Sequence, residues 1–220
     1  MIAFKFIIIA VISYLLGSLN FGVILSKGMK SEDVRDSGSG NAGTTNMMRT
    51  YGKTLGLLTI AGDILKVMLA IWLAFKIVSV EELKMTLDAA SDYPQVVLKS
   101  FAGLFAVLGH IFPCYFKFKG GKGVATSGGM VIAIDWRIAL ILLAIFALTI
   151  LITKYVSLGS ILMAIFYPVF IGIFYKDIIL VFIALVFTVI VIVAHRENIK
   201  RLFNHTENKI GSKKKKKKKE

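Results

Sequence analysis

The chain has 220 residues, 56% of them hydrophobic and only 18% charged, with a formal net charge of +14 and a mean hydropathy of +0.76. Soluble domains carry about 25% charged residues, and the apolar runs here approach the ~20 residues that cross hydrocarbon, which excludes a soluble globular domain and marks an integral membrane protein. The positive charge does not mark a nucleic-acid binder, because seven of the lysines form one tract, Lys213 to Lys219, beyond the last apolar run.

In chain order the apolar segments cover residues 2–25, 55–80, 96–116, 124–134, 138–153, 157–175 and 177–194. The first is long for a secretory signal and runs into glycine-rich sequence without a small-residue cleavage pattern, so it reads as retained. Pro168 is expected to kink the sixth segment, with the freed backbone groups satisfied by neighbours. Cys114 is the single cysteine, so no intrachain disulfide can form. Residues 1–208 read as one transmembrane domain and 209–220 as a basic, disordered tail.

Three polar stretches, 26–54, 117–123 and 195–220, interrupt these segments. Two spans separate the first two stretches, which therefore share a face. The third joins them only if 124–153, cut by Asp135, Trp136 and Arg137, is two spans rather than one broken span. With two, 20 Lys and Arg residues lie on the inner side and 5 on the outer, whereas one broken span exports the basic C-terminal stretch. The positive-inside bias selects two. The expectation is an all-α membrane protein, a polytopic bundle of about seven transmembrane helices, two of them short. Its N-terminus is outside, and its C-terminus and all three polar stretches are cytoplasmic.

The first stretch contains SGSGNAGTTNMMR, with Ser37, Gly38, Ser39, Gly40, Asn41, Gly43, Thr44, Thr45, Asn46 and Arg49. Glycines let successive N–H groups converge on an anion, and Arg49 adds a fork suited to phosphate. Residues 38–43 match G-x-G-x-x-G literally. A dinucleotide fold, however, needs a strand before the glycines and an acid about 20 residues on; here KSEDVRD precedes and a membrane span follows. The second stretch, GHIFPCYFKFKGGKGVATS, places Gly120, Gly121, Lys122 and Gly123 before a short helix whose N-terminus favours anions. It lacks the Walker A spacing. Flexible Gly/Ser sequence and a basic anchoring turn are the plainer readings of these two stretches. His110 reads as a packed helix histidine, and Asp63 and Lys66, three residues apart in the second span, as an internal ion pair. In the third stretch, AHRENIKRL, helical spacing puts His195, Asn198 and Arg201 on one side. Taken together, two glycine-based cradles, two cations and a histidine on one face imply a substrate, or two, carrying phosphate. Zinc-ligand spacing and a nucleophile elbow are both lacking.

SGSGNAGTTNMMR, GHIFPCYFKFKGGKGVATS and AHRENIKRL, in this order, resemble the acyl-phosphate-dependent glycerol-3-phosphate acyltransferases of bacterial membranes (the PlsY type), and LLGSLNFG and KYVSLGS add smaller echoes. The similarity runs to about Glu207; GDILKV, without the family's frequent glycine after the lysine, and the lysine tail depart from it. The resemblance implies transfer of a fatty acyl group from acyl phosphate to glycerol 3-phosphate, giving lysophosphatidic acid and phosphate, with no cofactor. It also implies a soluble partner enzyme that supplies acyl phosphate. By residue it implies an active site of Ser39, Arg49, Lys122, His195 and Asn198. The phosphate cradles would be Gly40, Asn41, Gly43, Thr45, Asn46, Gly120, Gly121, Gly123 and Thr126, with Ser157 as a further contact. His195 and the donor's own phosphate are both open as the proton acceptor. The competing reading is a transporter of phosphate or organophosphate, against which stands the placement of every charged motif on one face.

Overall fold

The computed structural model describes residues 2–87 and 90–210, and among these residues the chain is helical, with no strand. The expected tail lies, from residue 211 onward, outside the described residues. α1 (Ile2–Gly17) and α2 (Phe21–Lys30) together form one 29-residue apolar length, interrupted at Ser18–Asn20. Asn20 restarts the helix by accepting the N–H of Val23 on its side-chain oxygen at 3.3 Å. α3 (Thr44–Tyr51) is a short polar helix and α4 (Lys53–Ile77) a long span. α5 (Val80–Leu87) and α6 (Pro94–Ile111) follow, then α7 (Val124–Ile134), α8 (Trp136–Thr153), α9 (Val156–Tyr175), α10 (Ile178–Ala194) and α11 (Arg196–Phe203).

The seven apolar runs of the sequence correspond to α1 with α2, α4, α6, α7, α8, α9 and α10. Residues 124–153 are two helices. Asp135 ends α7 and caps α8, accepting the N–H of Arg137 at 2.9 Å while its carboxylate also holds that guanidinium. Of the two spans expected to be short, α8 takes in Trp136 and Arg137 and reaches 18 residues, while α7 has 11. Eleven helical residues cover about 16 Å of a ~30 Å hydrocarbon core. The loop before α7 is itself packed against the bundle, with Gly121 and Gly123 buried.

All three polar stretches meet at one end as a consequence. There Arg35 Nη1 donates to the carbonyls of Phe116 and Lys119 at 3.0 and 2.8 Å, and Ser157 donates to Glu207 at 3.0 Å. At the opposite end Lys5 pairs with Glu82 at 2.6 Å, Tyr175 donates to Asp135 at 3.2 Å and Ser91 donates to Asp177.

Small residues let the helices approach without a water-driven core. A Cβ on Gly17 would fall 2.0 Å from the Ala106 carbonyl oxygen, and one on Gly109 2.1 Å from that of Tyr14, so α1 and α6 touch backbone to backbone. α9 runs through Pro168 unbroken. The Ala164 carbonyl that the proline leaves unpaired accepts the Thr188 hydroxyl of α10 at 2.7 Å. The outward faces are themselves apolar, with Leu65, Trp72, Leu143, Ile152 and Phe182 all exposed. Such a surface fits a lipid solvent and makes this a multi-pass membrane protein.

Candidate active site

The first glycine stretch is folded by two side chains. Asp33 accepts the backbone N–H of Arg35 and grips its guanidinium at 2.9 and 2.7 Å. The Arg35 fork holds Asp33 down to about 2, and its remaining arm reaches the second loop. Asn46, 1% exposed, accepts the Ser39 N–H at 2.8 Å and donates to the carbonyls of Val34 and Ser37, both at 2.9 Å. Gly38 passes it at φ +64, where a Cβ would stand 2.1 Å from the Asn46 oxygen. Asn46 was expected among the phosphate ligands, but its amide is committed to shaping the loop. Asn41 is similarly used, accepting the N–H of Gly43 at 2.9 Å, and the N–H of Gly40 goes to the Ser37 carbonyl at 3.1 Å.

The glycines of the second loop have local partners as well. The N–H groups of Gly120 and Gly121 donate to the carbonyls of Ile111 and His110, both at 3.2 Å, closing the end of α6. A Cβ at Gly120 would meet the His110 carbonyl oxygen at 2.0 Å, and one at Gly121 the His110 ring at 2.2 Å. These glycines allow close approach to α6. Gly123, at φ +79, turns the chain into α7. Thr126, fully buried in the first turn of α7, has a hydroxyl with no protein partner among the described residues.

Lys122, half-buried, follows Gly121 in this loop. Burial pushes its ammonium down to about 8; Arg201 and Arg49 add repulsion, and Glu207 partly opposes both. His195, 1% exposed, sits at the 61° bend between α10 and α11. Burial, reinforced by the Lys122 charge and resisted by the bond to Val191, pushes its pKa down to about 4. Its Nδ1 is 2.8 Å from the Val191 carbonyl. A carbonyl only accepts, so Nδ1 carries the proton and Nε2 keeps its lone pair.

Asn198, Ser157 and Arg201 converge on Glu207, donating to its carboxylate at 2.8, 3.0 and 2.7 Å. Burial raises this carboxyl, but the three donors outweigh it and leave it below its ordinary range. The Asn198 side-chain oxygen is buried with no protein partner among the described residues. Arg49, Thr45, Ser39 and Gly40 are exposed at the mouth. Beside them a cleft of 320 Å³ is bounded by Arg35, Asp36, Gly40, Lys117 and Gly120.

The structure thus brings Lys122, His195, Asn198 and Ser157 together, with Arg49 acting on Lys122 through its charge. It adds two residues absent from the sequence-derived site. Arg201 was signalled by its spacing from Asn198; Glu207, nine residues beyond Asn198 in an irregular segment, carried no local signal.

A family model described as glycerol-3-phosphate acyltransferase matches residues 7–205. The glycerol-3-phosphate acyltransferase of Clostridioides difficile (strain 630) is 43% identical, over 96% of this chain and 98% of that protein. That of Bacillus subtilis (strain 168) is 41% identical, over 92% and 96%. The crystal structure of PlsY (YgiH), an integral membrane glycerol 3-phosphate acyltransferase, superposes in its glycerol 3-phosphate form with a TM-score of 0.80 and 36% identity, covering 94% of this chain and 96% of that one. Its lysophosphatidic acid form gives 0.78 and 34%, covering 94% and 95%. With three charged motifs gathered at one end of a seven-segment bundle and matches along nearly its whole length, the chain belongs to the glycerol-3-phosphate acyltransferase family.

Proposed function

We propose that this protein transfers a fatty acyl group from acyl phosphate to glycerol 3-phosphate, giving lysophosphatidic acid (1-acyl-glycerol 3-phosphate) and inorganic phosphate, as the first acylation of phospholipid synthesis. The observation that carries this reading is that a half-buried Lys122 feels the charges of Arg201 and Arg49 and lies beside a neutral His195. Three cations against one carboxylate suit two phosphate-bearing reactants, and one relative of this chain is described in glycerol 3-phosphate and lysophosphatidic acid forms. The half-length α7 supports a site at a depth where a phosphate head and an acyl tail can both be solvated.

Arg49 and Lys122 hold phosphate charge, and the Ser39 hydroxyl orients a phosphate or the attacking alcohol. Thr45 lines the approach, and Gly123 turns the chain into α7, where the buried Thr126 hydroxyl is a further donor to phosphate; the loops shaped by Gly40, Asn41, Gly43, Asn46, Gly120 and Gly121 set their positions. The Asn198 oxygen and His195 Nε2 accept from the glycerol hydroxyls. The attacking oxygen bonds to the acyl carbon, and the carbon–oxygen bond to phosphate breaks. Burial pushes the His195 imidazole down to about 4, which makes it a poor base beside a phosphate that leaves as an anion. The hydroxyl proton therefore ends on phosphate, and His195 aims the nucleophile. Acyl phosphate is already a mixed anhydride, so positioning and charge stabilisation suffice without an acyl-enzyme.

The basic motif face is cytoplasmic in a bacterial inner membrane on the positive-inside rule, where a soluble enzyme would deliver acyl phosphate. The test is donor choice: purified protein supplied with glycerol 3-phosphate and either palmitoyl phosphate or palmitoyl-CoA. Product from the phosphate alone supports the reading; product from the thioester alone overturns the donor. Flux of glycerol 3-phosphate into sealed vesicles without acylation would point to a transporter.

A further inference from the structure

Beneath the second loop lies a charged cluster that the proposed reaction does not use. Lys66 Nζ of α4 stands 2.8 Å from Asp63 Oδ1, 2.8 Å from His110 Nδ1 of α6, and 2.9 Å from the carbonyl oxygen of Leu19, to which it donates. All three side chains are buried, at 2%, 1% and 3% exposure for Lys66, Asp63 and His110. An ion pair inside a bundle is weak evidence for stability, since well-packed apolar residues serve as well or better. Its placement gives it another use. His110 is the residue on which Gly121 lies: its carbonyl takes the Gly121 N–H, and its ring leaves no room for a Cβ there. Lys122 follows directly. Leu19 is the break between α1 and α2, and α2 in turn carries Gly22 against the carbonyl of Ala42, where a Cβ would fall 1.9 Å away. One ammonium therefore ties the support of the second loop to that of the first.

We propose that Lys66, oriented by Asp63, is a positioning residue that acts through His110 to hold Lys122 at its half-buried post and through Leu19 to hold the first glycine loop beside it. This rests on the reading of Lys122 as a phosphate-binding residue. The test is the double variant Asp63→Leu/Lys66→Met, which removes both charges together and so leaves no unpaired ion. Three quantities are measured: thermal midpoint in detergent, kcat/KM with palmitoyl phosphate and glycerol 3-phosphate, and the pH dependence of Lys122 acylation by acetic anhydride, followed by mass spectrometry. The expected result is a folded protein whose kcat/KM falls by on the order of 100-fold, the effect of a ~1 Å misplacement, and whose Lys122 titrates above the wild-type position as it leaves its burial. A folded double variant with kcat/KM within twofold and Lys122 titration unmoved overturns the proposal. Should the double variant fail to fold, Asp63→Asn/Lys66→Gln decides on the same two readouts, since it removes both charges while keeping polar groups of similar volume. The labelling readout needs no turnover. An inactive wild type would therefore sink the acyltransferase reading, while the labelling shift still decides the positioning role.

Discussion

His195 Nδ1 donates to the carbonyl oxygen of Val191, one turn earlier in α10, at 2.8 Å. This bond fixes the tautomer and leaves Nε2 as the acceptor. His195→Ala should lose turnover by on the order of 100-fold while the protein still inserts and folds. His195→Gln, whose side-chain carbonyl can also accept a hydroxyl proton, should retain part of the activity. Equal, near-normal turnover in both variants, measured as phosphate release, would remove His195 from the reacting centre.

Lys122 sets an expected alkaline limit. Burial lowers its pKa to about 8, so in the empty enzyme the charge is present below that pH and lost above it. kcat/KM for glycerol 3-phosphate should fall with an apparent pKa near 8. The kcat profile, which reports the complex, should fall at higher pH, because bound phosphate favours the charged amine. Lys122→Arg should shift the limit out of range, and Lys122→Ala should abolish turnover. A kcat/KM that stays flat to pH 10 in the wild type would contradict this assignment.

Glu207 provides a test of sign. Its negative charge raises the Lys122 pKa, so Glu207→Gln, which keeps the shape of the group bound by Ser157, Asn198 and Arg201, should move the alkaline limb of kcat/KM to lower pH. An unmoved or rising limb would place Glu207 outside the electrostatics of the site.

The residues that carry charge were legible in the sequence because lipid makes polar stretches conspicuous. Three interruptions of apolar sequence had to be exposed, liganded or internally satisfied, and charge asymmetry put them on one face. The architecture followed from the same contrast, including the break at Asp135. What the glycines do was not legible. Composition cannot distinguish an N–H aimed at an anion from one closing a helix, and Gly120 and Gly121 proved to close α6. Asn46 likewise reads as a ligand until its partners at Ser39, Val34 and Ser37 are seen. α5 was missed although Ser79 and Glu82 form a capping box, each accepting the other's N–H at 3.2 and 3.1 Å. Its single buried residue, Leu83, leaves little apolar periodicity to read.

Thr188 supplies a structural control. Its hydroxyl covers the Ala164 carbonyl freed by Pro168 and also reaches Ala184 at 2.9 Å. Thr188→Val keeps the volume and removes the donor. It should cost about 1 kcal/mol, seen as a lower thermal midpoint in detergent, with kcat and KM unchanged. A loss of activity at unchanged midpoint would mean that α10 is coupled to the site in a way the hydrogen bonds do not explain.

The central claim is tested most directly by a mass balance on the purified protein in detergent, given palmitoyl phosphate and glycerol 3-phosphate and sampled over time for inorganic phosphate and lysophosphatidic acid. The two products should appear in equal amounts, and neither should form in Lys122→Ala. Phosphate released without lysophosphatidic acid, or no release at all from folded wild type, would contradict acyl transfer as the activity of this chain.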